Sequence, residues 1–375
     1  MATQQSLNPH EEFRFEVAGA PVSLTVAKET PMASYLELHM ALERKRCSAR
    51  AVGSAGPSVL VAGPTDTGKS SLCRLLANYL ARSGSTSTFI DLDISQGAMS
   101  IPGCICAVPI HRPLDIERGT EDLSPLVYWF GHISAADRVG HLRRLVGVLA
   151  NSTKKRLEAN TEARSGGLLV NTCGCVDDQG FDLLQQQIVD FNADVLVVIG
   201  DDRLTSQLEQ FAKSQPQQPT VIKVAKSGGV ITRSASSRAA GHASRVREYF
   251  YGISNELSPT SNVLDISAVQ VFSIGSAPQA PMSALPIGMR LQRDQLAATL
   301  LSIAQYPSLV HSILAVAMTE SNKCDDLLQA NIAGFVFVTA VDLEHQKITL
   351  LAPSPISLIS LPSNRLLTGS IKWQD

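Results

Sequence analysis

A short segment of the chain has the residue types and spacing of a phosphate-binding loop. Gly63–Ser70 read GPTDTGKS, which fits the pattern G-x-x-x-x-G-K-S. The two glycines let the main chain curl so that successive N–H groups point inward at a phosphate. Lys69 would add a point charge at the β- and γ-phosphates, and the Ser70 hydroxyl would be a ligand for Mg²⁺. We therefore expect this loop to bind a nucleoside triphosphate.

The flanking sequence supports this interpretation, because the motif is meaningful only between a strand and a helix. The apolar run Ser58–Ala62 precedes the loop, and the amphipathic stretch Ser71–Arg82 follows it. A helix that begins at the loop adds free N–H groups and partial positive charge. The predicted nucleotide-binding residues of this unit are Gly63, Asp66, Thr67, Gly68, Lys69, Ser70 and Ser71.

Two aspartates close the next apolar run, TFIDLD. The spacing of Asp91 and Asp93 places both side chains on one face if the strand is regular. A carboxylate at this strand end can approach Mg²⁺ or accept a proton from an attacking hydroxyl. We predict both roles for Asp93; the alternative is that one aspartate only caps the following turn. The third predicted strand runs into Asn171–Gly174 without an acidic residue, which favours a kinase over a motor-type ATPase.

A basic segment without acidic residues spans Lys223–Arg247. Its cations are Lys223, Lys226, Arg233, Arg238, Arg245 and Arg247. The pair Gly228-Gly229 is a candidate hinge, and arginines beyond a hinge are typical of a lid that closes over phosphates. Such cations would stabilise the charge of a transferring phosphoryl group. The alternative is a solvated basic helix face.

Composition limits the class of protein. The chain has 375 residues, which predicts two or three domains, and its net charge of −2 gives no global nucleic-acid signature. The N-terminus lacks the apolar stretch of a signal peptide, and no apolar run reaches the roughly 18 residues of a membrane span. We expect no membrane association, and seven cysteines, an odd number, fit a reducing compartment such as cytosol or nucleus.

Two C-x-C pairs deserve a separate interpretation. Cys104/Cys106 and Cys173/Cys175 together could supply four thiolates to a metal ion. Their spacing lacks the two-residue gap of a zinc knuckle, and small buried hydrophobes near strand ends are the alternative that we favour.

The fold class expected is α/β, with a central parallel sheet covered by helices on both faces, because short apolar runs alternate with helical stretches. The predicted strands are Val59–Ala62, Thr88–Leu92, Leu168–Asn171, Val195–Ile199 and Val221–Val224. The predicted helices are Ser71–Arg82, Asp137–Ala163, Phe181–Phe191 and Leu204–Lys213. A ligand on such a sheet lies at the carboxyl ends of the strands.

Composition changes on both sides of this unit predict flanking domains. Phe13–Val26 alternates like strands, and Val336–Val341 and Ile348–Leu351 are strand candidates near the other end. We predict a small, truncated N-terminal β domain over residues 1–30, a helix and linker over 31–57, a P-loop domain over 58–258, and a small, mostly β C-terminal domain over 259–375.

One further motif indicates a different nucleotide. Asn322–Asp325 read NKCD, which fits the guanine-reading pattern N-K-x-D of GTPases. It lies beyond the composition change rather than in the same predicted sheet, and no D-x-x-G follows the third strand. We therefore regard a GTPase as the weaker alternative, because four-letter motifs recur by chance.

Longer blocks of sequence resemble a known family. The stretch from GPTDTGKS through FIDLDISQGAMSIPG is similar to the eukaryotic Clp polynucleotide 5′-hydroxyl kinases, also described as pre-mRNA cleavage and polyadenylation factors. Further similar blocks are LVYWFGH (Leu126–His132), NTCG (Asn171–Gly174), KSGGVITRS (Lys226–Ser234), RVREYFYG (Arg245–Gly252), LPIGM (Leu285–Met289) and VDLEHQ (Val341–Gln346). They occur in family order, so the resemblance covers nearly the whole chain from about Glu12.

The resemblance implies an N-terminal β-sandwich, a P-loop domain and a C-terminal domain, which together bind ATP with Mg²⁺ and phosphorylate a 5′-hydroxyl on RNA or DNA. It also implies a nuclear role in pre-mRNA 3′-end cleavage with a Pcf-type polymerase-tail-binding subunit and other 3′-end processing factors. In animals it implies a link to tRNA-splicing endonuclease.

The resemblance also implies roles for individual residues. Lys69 and Ser70 would hold the phosphates and Mg²⁺, and Asp93 would activate the hydroxyl. Thr172 would lie in a clasp that touches substrate and P-loop, and Glu12 would reach the adenine. The lid arginines that would clamp the phosphoryl group are Arg233, Arg238 and Arg245.

Three departures from the family pattern bear on activity. The segment Glu12–Thr30 is shorter than the usual N-terminal domain, which suggests a truncation or an incomplete gene model. Cys175 replaces the clasp tryptophan, whose stacking on a base is worth about 1–3 kcal/mol, so substrate affinity would fall roughly ten- to a hundred-fold. His242 replaces a lid arginine and removes a fixed charge.

Two functions therefore stay open. The chain is either an ATP-binding scaffold of the cleavage factor complex in which ATP is mainly structural, or an active polynucleotide 5′-hydroxyl kinase that acts in RNA processing including tRNA splicing. We favour the scaffold, because the departures spare triphosphate binding and weaken substrate handling.

Overall fold

The computed structural model describes residues 12–17, 20–25, 30–97, 99–115, 123–276, 296–354 and 363–374, with the main chain alone given for 12–25. The sequence block Leu285–Met289 lies outside these ranges, as does the side chain of Glu12. Within the part of the chain that is described, no helix is long and apolar enough to cross a membrane.

A β-hairpin and a long helix precede the P-loop. Strands β1 (Glu12–Val17) and β2 (Ala20–Thr25) pair antiparallel, as their alternating sequence predicts. Helix α1 (Met32–Val52) follows and ends at Gly53, whose φ of 70° is the left-handed value typical of a helix C-terminus. The helix buries Tyr35, Leu38 and Leu42 against the central sheet and helix α2, described next.

The central sheet has the predicted parallel core. Its strands are β3 (Ser58–Ala62), β4 (Ser87–Asp91), β5 (Cys104–Ile110), β6 (Leu126–Trp129), β7 (Leu168–Asn171), β8 (Val195–Ile199) and β9 (Thr220–Val224). Their order is β6-β5-β4-β7-β3-β8-β9, and all neighbours from β4 to β9 in this order are parallel. Strands β5 and β6 extend one edge antiparallel, which the sequence pattern did not predict. No described helix separates β4 from β5, and an antiparallel return needs none.

Helices cover both faces of this sheet, as predicted. They are α2 (Lys69–Arg82), α3 (Val139–Ala159), α4 (Thr161–Gly166), α5 (Asp178–Asp190), α6 (Asp202–Ser214) and α7 (Ala235–Tyr251). One core joins α1, α2 and α7 to side chains such as Val59 and Val61, and the other joins α3, α5 and α6 to Leu60 and Ala62. Alternate residues of β3 thus point into opposite cores, which explains its continuous apolar sequence.

A second sheet begins at Thr260, in keeping with the predicted β character of the C-terminal part. Its strands are β10 (Thr260–Asp265), β11 (Gln270–Ser276), β12 (Leu296–Leu300), β13 (Ser312–Ala317), β14 (Ile332–Asp342), β15 (Lys347–Ala352) and β16 (Arg365–Lys372). They are ordered β10-β15-β14-β13-β16-β11-β12, and the short helix α8 (Cys324–Leu328) lies between β13 and β14 in the chain.

The second sheet packs against the end of helix α7. Phe250 stacks on Trp373 with ring centroids 5.8 Å apart, and the Tyr249 hydroxyl oxygen accepts a hydrogen bond from the main-chain N–H of Phe335 at 3.0 Å. The second sheet therefore anchors the end of α7, directly after the basic segment. A separate contact joins the residue after Phe130 to the second sheet: the Gly131 carbonyl accepts the N–H of Ser370 in β16 at 2.8 Å.

Candidate phosphate-binding cleft

The loop between β3 and α2 has the strained main chain that its sequence requires. Gly68 has a φ of 94° and Asp66 one of 56°, so both adopt left-handed conformations. A Cβ added at Gly63 would lie 3.0 Å from the carbonyl oxygen of Ile199, which leaves little room for a side chain. Helix α2 then begins at Lys69, so its first N–H groups face the loop. The local geometry is that of a phosphate cradle.

Lys69 is folded into this cradle. Its Nζ donates a hydrogen bond to the Pro64 carbonyl at 2.8 Å, and the Thr67 hydroxyl donates to the same oxygen at 2.8 Å. Burial lowers the pKa of Lys69, while the nearby charge of Asp93 acts in the opposite direction. The loop's own carbonyl thus holds the ammonium group where it can meet phosphate oxygens.

A cleft of about 640 Å³ opens above the loop. The predicted site residues that line it are Asp66, Thr67, Gly68, Lys69, Ser70, Ser71, Asp93, Arg233, Arg238 and Arg245. Cys175 and His242, the two departures from the family pattern, line it too. Residues far apart in sequence therefore meet around one cavity. Gly63 and Thr172 do not line it.

The two aspartates after β4 have different surroundings. The strand ends at Asp91, so the regular-strand spacing that would place both side chains together does not extend to Asp93. Asp91 is buried and accepts a hydrogen bond from Asn171 Nδ2 at 2.9 Å. Burial, and then the charge of Asp93, raise the pKa of Asp91 to about 7. Asp91 is therefore an internal group rather than a cleft residue.

Asp93 faces the cleft and also caps a turn. Its Oδ1 accepts hydrogen bonds from the main-chain N–H of Ser95 at 3.2 Å and from the Ser95 hydroxyl at 2.7 Å. The two interpretations of this residue are compatible, because one carboxylate oxygen can hold the turn while the other faces the cleft.

Asn171 is a functional candidate that sequence reasoning missed. Its Nδ2 lies 3.2 Å from the Ser70 hydroxyl and 2.9 Å from Asp91 Oδ1, so the amide links the loop serine to the buried aspartate. The available signal was its place at the end of β7, since adjacent parallel strands end at the same edge of the sheet.

Two of the lid arginines, Arg233 and Arg238, bind the loop itself. Arg233 donates to Asp66 from its main-chain N–H at 3.0 Å and from Nε at 3.1 Å, and Arg238 Nη2 donates at 2.7 Å. Burial alone would raise the pKa of Asp66, but these hydrogen bonds outweigh it and lower the pKa to about 2. Gln96 Oε1 accepts from Arg233 Nη1 at 2.8 Å and is a second residue that the sequence did not reveal.

The rest of the basic segment divides between cleft and surface. Arg245 lines the cleft while its Nη1 contacts Glu248 at 2.5 Å. Lys223 pairs with Asp202 at the surface, and the Arg247 guanidinium lies 5.2 Å from the ring centre of Tyr251. Arg74 of α2 also lines the cleft and was not predicted. Each of the two interpretations of this segment, a lid over phosphates and a solvated helix face, therefore applies to a part of it.

His242 lies in the cleft wall. Burial lowers its pKa, against the opposing effect of a hydrogen bond to the main chain of Ser95, and so favours the uncharged ring. The structure therefore supplies no substitute for the arginine charge at this position.

The predicted clasp residues separate into an inner and an outer part. The Thr172 hydroxyl is buried and donates to the Val61 carbonyl at 2.8 Å, so it faces β3. Cys173 and Cys175 line the cleft, one residue apart in the chain. Interaction between the two thiol groups lowers the pKa of Cys175 to about 7 and, with burial, raises the pKa of Cys173. The other C-x-C pair, Cys104 and Cys106, is buried in β5.

Residues of the N-K-x-D motif contact both the second sheet and helix α3. Asn322 Oδ1 accepts a hydrogen bond from Arg365 Nε at 2.9 Å, and Asp325 Oδ1 lies 2.5 Å from Arg144 Nη1. Neither residue lines the phosphate cleft. These contacts give the motif a structural use and leave the GTPase alternative without a guanine-reading residue in the cleft.

Two family descriptions match successive parts of the chain. Residues 63–252 match the "mRNA cleavage and polyadenylation factor CLP1 P-loop" family, and residues 257–375 match the "Pre-mRNA cleavage complex II protein Clp1" family. The first match contains every residue that lines the phosphate cleft, and the second contains the second sheet.

Individual proteins are similar over nearly all of the chain. "Protein CLP1 homolog" of Arabidopsis thaliana is 41% identical over 364 residues, which are 96% of this chain and 80% of that protein. "Polyribonucleotide 5'-hydroxyl-kinase Clp1" of Homo sapiens is 38% identical over 360 residues, which are 96% of this chain and 82% of that protein.

A solved structure shares the fold. The Clp1p chain of a Clp1p–Pcf11p complex superimposes with a TM-score of 0.79 at 21% identity, over 96% of this chain and 83% of that one. The P-loop, the cleft and the two family matches lead to one conclusion: the chain belongs to the Clp1 family of pre-mRNA cleavage and polyadenylation factors, and the cleft lies in the part that matches the family's P-loop domain.

Proposed function

We propose that the chain is an ATP-binding subunit of the pre-mRNA cleavage factor complex, required for the endonucleolytic cleavage that precedes polyadenylation, and that its ATP is mainly structural. One observation carries the structural role of ATP: Asp66 holds both Arg233 and Arg238. These guanidinium groups neutralise a carboxylate of the protein, so their charge is engaged before any phosphoryl group arrives. A triphosphate bound in this cleft would contact the loop, the lid and the clasp, and would so hold the three segments together.

The residues of the cleft fit Mg·ATP. The loop supplies main-chain N–H groups and Lys69, and the Ser70 hydroxyl and Asp93 carboxylate are oxygen ligands of the kind that Mg²⁺ prefers. We assign the triphosphate to Gly63, Asp66, Thr67, Gly68, Lys69, Ser70 and Ser71, and the adenine contact to Glu12. The bound metal would neutralise phosphate charge.

The partner follows from the family. A solved relative is a complex of Clp1p with Pcf11p, and we propose a Pcf-type polymerase-tail-binding subunit and other 3′-end processing factors as partners of this chain. RNA is a further ligand in this proposal, and the nucleus is the compartment. The family description of a pre-mRNA cleavage complex supports both assignments.

A second candidate function, a polynucleotide 5′-hydroxyl kinase, is favoured by the meeting of Lys69, Asp93 and Arg238 in one cleft. Asp93 would accept the proton of the attacking 5′-hydroxyl, and Lys69 would hold the phosphates of the donor. Arg238, with Arg233 and Arg245, would have to leave its carboxylate partner and turn to the transferring group. The Thr172 hydroxyl faces β3, so Thr172 would act indirectly, by supporting the other residues of the clasp.

One set of measurements separates the two functions. Nucleotide extracted from the purified protein is identified by mass spectrometry, and transfer from labelled ATP to a 5′-hydroxyl oligoribonucleotide is followed on the same sample. Lys69→Ala removes the loop cation, and Lys213→Ala, which replaces an exposed lysine of α6 outside the cleft, is the matched control.

Retained ATP without transfer is the expected result and supports the structural role. Transfer that Lys69→Ala abolishes and Lys213→Ala preserves would establish the kinase instead. Protein that retains ADP, or no nucleotide, would contradict the structural role of ATP. For the partner, removal of nucleotide should weaken capture of a Pcf-type fragment, and unchanged capture would argue against a stiffening role.

A further inference from the structure

A pair of thiols stands on the wall of the phosphate cleft. Cys173 and Cys175 both line it, with only Gly174 between them, and Cys175 is exposed. Cys73, Cys104 and Cys106 are buried, which leaves Cys47 on α1 as another exposed thiol for comparison. Cys175 is thus accessible, and Cys173 is its neighbour on the same wall.

The loop that carries the pair is held from two sides. On one side, the Thr65 hydroxyl donates to the Gly174 carbonyl at 3.4 Å, and a Cβ at Gly174 would lie 2.8 Å from the main-chain N of Thr65. On the other side, a Cβ at Gly180 would lie 2.4 Å from the Cys175 carbonyl oxygen. The P-loop and the start of α5 therefore fix the segment between the two cysteines, so the thiols stay together.

The surroundings favour a reactive thiolate at Cys175. The Cys173 thiol and the Lys69 charge stabilise the anion, whereas Asp177 and Asp93 oppose it. A thiolate is the species that attacks a disulfide. These interactions agree with the position of the two cysteines, one residue apart in a held loop on the cleft wall.

We propose that Cys173 and Cys175 form a thiol–disulfide exchange site for low-molecular-weight disulfides such as oxidised glutathione. The Cys175 thiolate attacks one sulfur of the disulfide, forms a mixed disulfide and releases one glutathione thiolate. Cys173 then attacks the Cys175 sulfur and releases the second glutathione, with its proton passing to that leaving thiolate. Two protein thiols are oxidised to one disulfide, and one glutathione disulfide is reduced to two thiols.

The first test needs no variant. Reduced full-length protein without added nucleotide is alkylated with iodoacetamide at pH 7, and labelling of each cysteine peptide is timed by mass spectrometry. We expect Cys175 to react about ten-fold faster than the exposed thiol of Cys47, because more of it is thiolate at this pH. Equal rates for the two cysteines would overturn the proposal.

The second test follows the exchange itself. With oxidised glutathione, wild-type protein should lose two hydrogens, and peptide mapping should find the Cys173–Cys175 disulfide. Cys173→Ser should trap one glutathione on Cys175, Cys175→Ser should leave Cys173 reduced, and Cys47→Ser should behave as wild type. A stable glutathione adduct on the wild-type protein, without the internal disulfide, would contradict the second step. These outcomes do not depend on whether ATP is structural or a phosphoryl donor.

Discussion

Arg238 of helix α7 donates from Nη2 to Asp66 Oδ2 in the phosphate-binding loop at 2.7 Å. Arg233 binds the same carboxylate through its main chain and its side chain, and the Asp66 side chain is only 4% exposed. The cluster therefore fastens the basic segment to the loop and directly connects the phosphate cradle with the lid.

Asp66→Asn should loosen this link. An amide of the same shape keeps some hydrogen bonds and loses the charge that both arginines neutralise, so we expect the free energy of unfolding to fall by about 1–2 kcal/mol at pH 7. Urea unfolding measures the change. Asp265→Asn, which removes an exposed partner of Lys347, is the control and should cost less than about 1 kcal/mol.

The same variant has a defined pH dependence. The pKa of Asp66 is lowered in the folded state, so its stabilisation is complete above the unfolded value near 4 and is lost as the pH falls toward about 2. The difference between wild type and Asp66→Asn should be constant from pH 5 to 8 and shrink below pH 4. A difference that grows on acidification would show that the cluster is not the cause.

Asp91→Asn should have the opposite effect on stability. Because the folded-state pKa of Asp91 is raised to about 7, the native state loses stability as the pH rises from about 4 to 7. The amide oxygen can still accept from Asn171, and no charge has to be buried. We expect the variant to be more stable than wild type by on the order of 2 kcal/mol at pH 8.5, with little difference near pH 4.5, in urea unfolding. A variant that is less stable at pH 8.5 would contradict this reasoning.

Cys175→Trp should strengthen RNA binding. Cys175 is exposed in the cleft wall, where an indole ring could stack on a terminal base, and such stacking is worth about 1–3 kcal/mol. Fluorescence anisotropy with a labelled 5′-hydroxyl oligoribonucleotide should show a Kd lower by roughly ten-fold. Cys175→Leu adds apolar volume without an aromatic face and should show no such gain, and an equal gain in both variants would exclude stacking as the reason.

Gly166→Ala should be severely destabilising. A Cβ at this position would lie 1.4 Å from the Thr86 carbonyl oxygen, and the Gly166 carbonyl accepts a hydrogen bond from buried Arg46 at 3.0 Å. Main chain would have to move on both sides, so we expect a loss of at least about 3 kcal/mol by thermal unfolding. The control is Gly147→Ala in α3, where an added Cβ meets no described atom within 4 Å and should stabilise by about 0.5–1 kcal/mol. Similar losses in both variants would contradict the steric argument.

Local sequence was sufficient for the elements whose cause is local. The P-loop was recognisable because Gly68 must adopt a left-handed conformation and because an apolar strand and an amphipathic helix flank it. The parallel strands were visible as short apolar runs, since burial on both faces leaves no polar alternation. The antiparallel β5 and β6 were not predicted, because CICAVPI contains a proline and LVYW is too short to show a period.

The contacts that decide how the cleft works come from tertiary structure. Asp66 and Arg233 are 167 positions apart, and neither local sequence indicates that the two residues are in contact. Likewise the order β4-β7-β3 places Asn171 between Ser70 and Asp91, and turns Thr172 toward Val61. Residue type and spacing thus determined that a phosphate would be bound, because a main-chain cradle is a local structure. Strand order decided which side chains face it, because that depends on long-range packing that no short window of sequence contains.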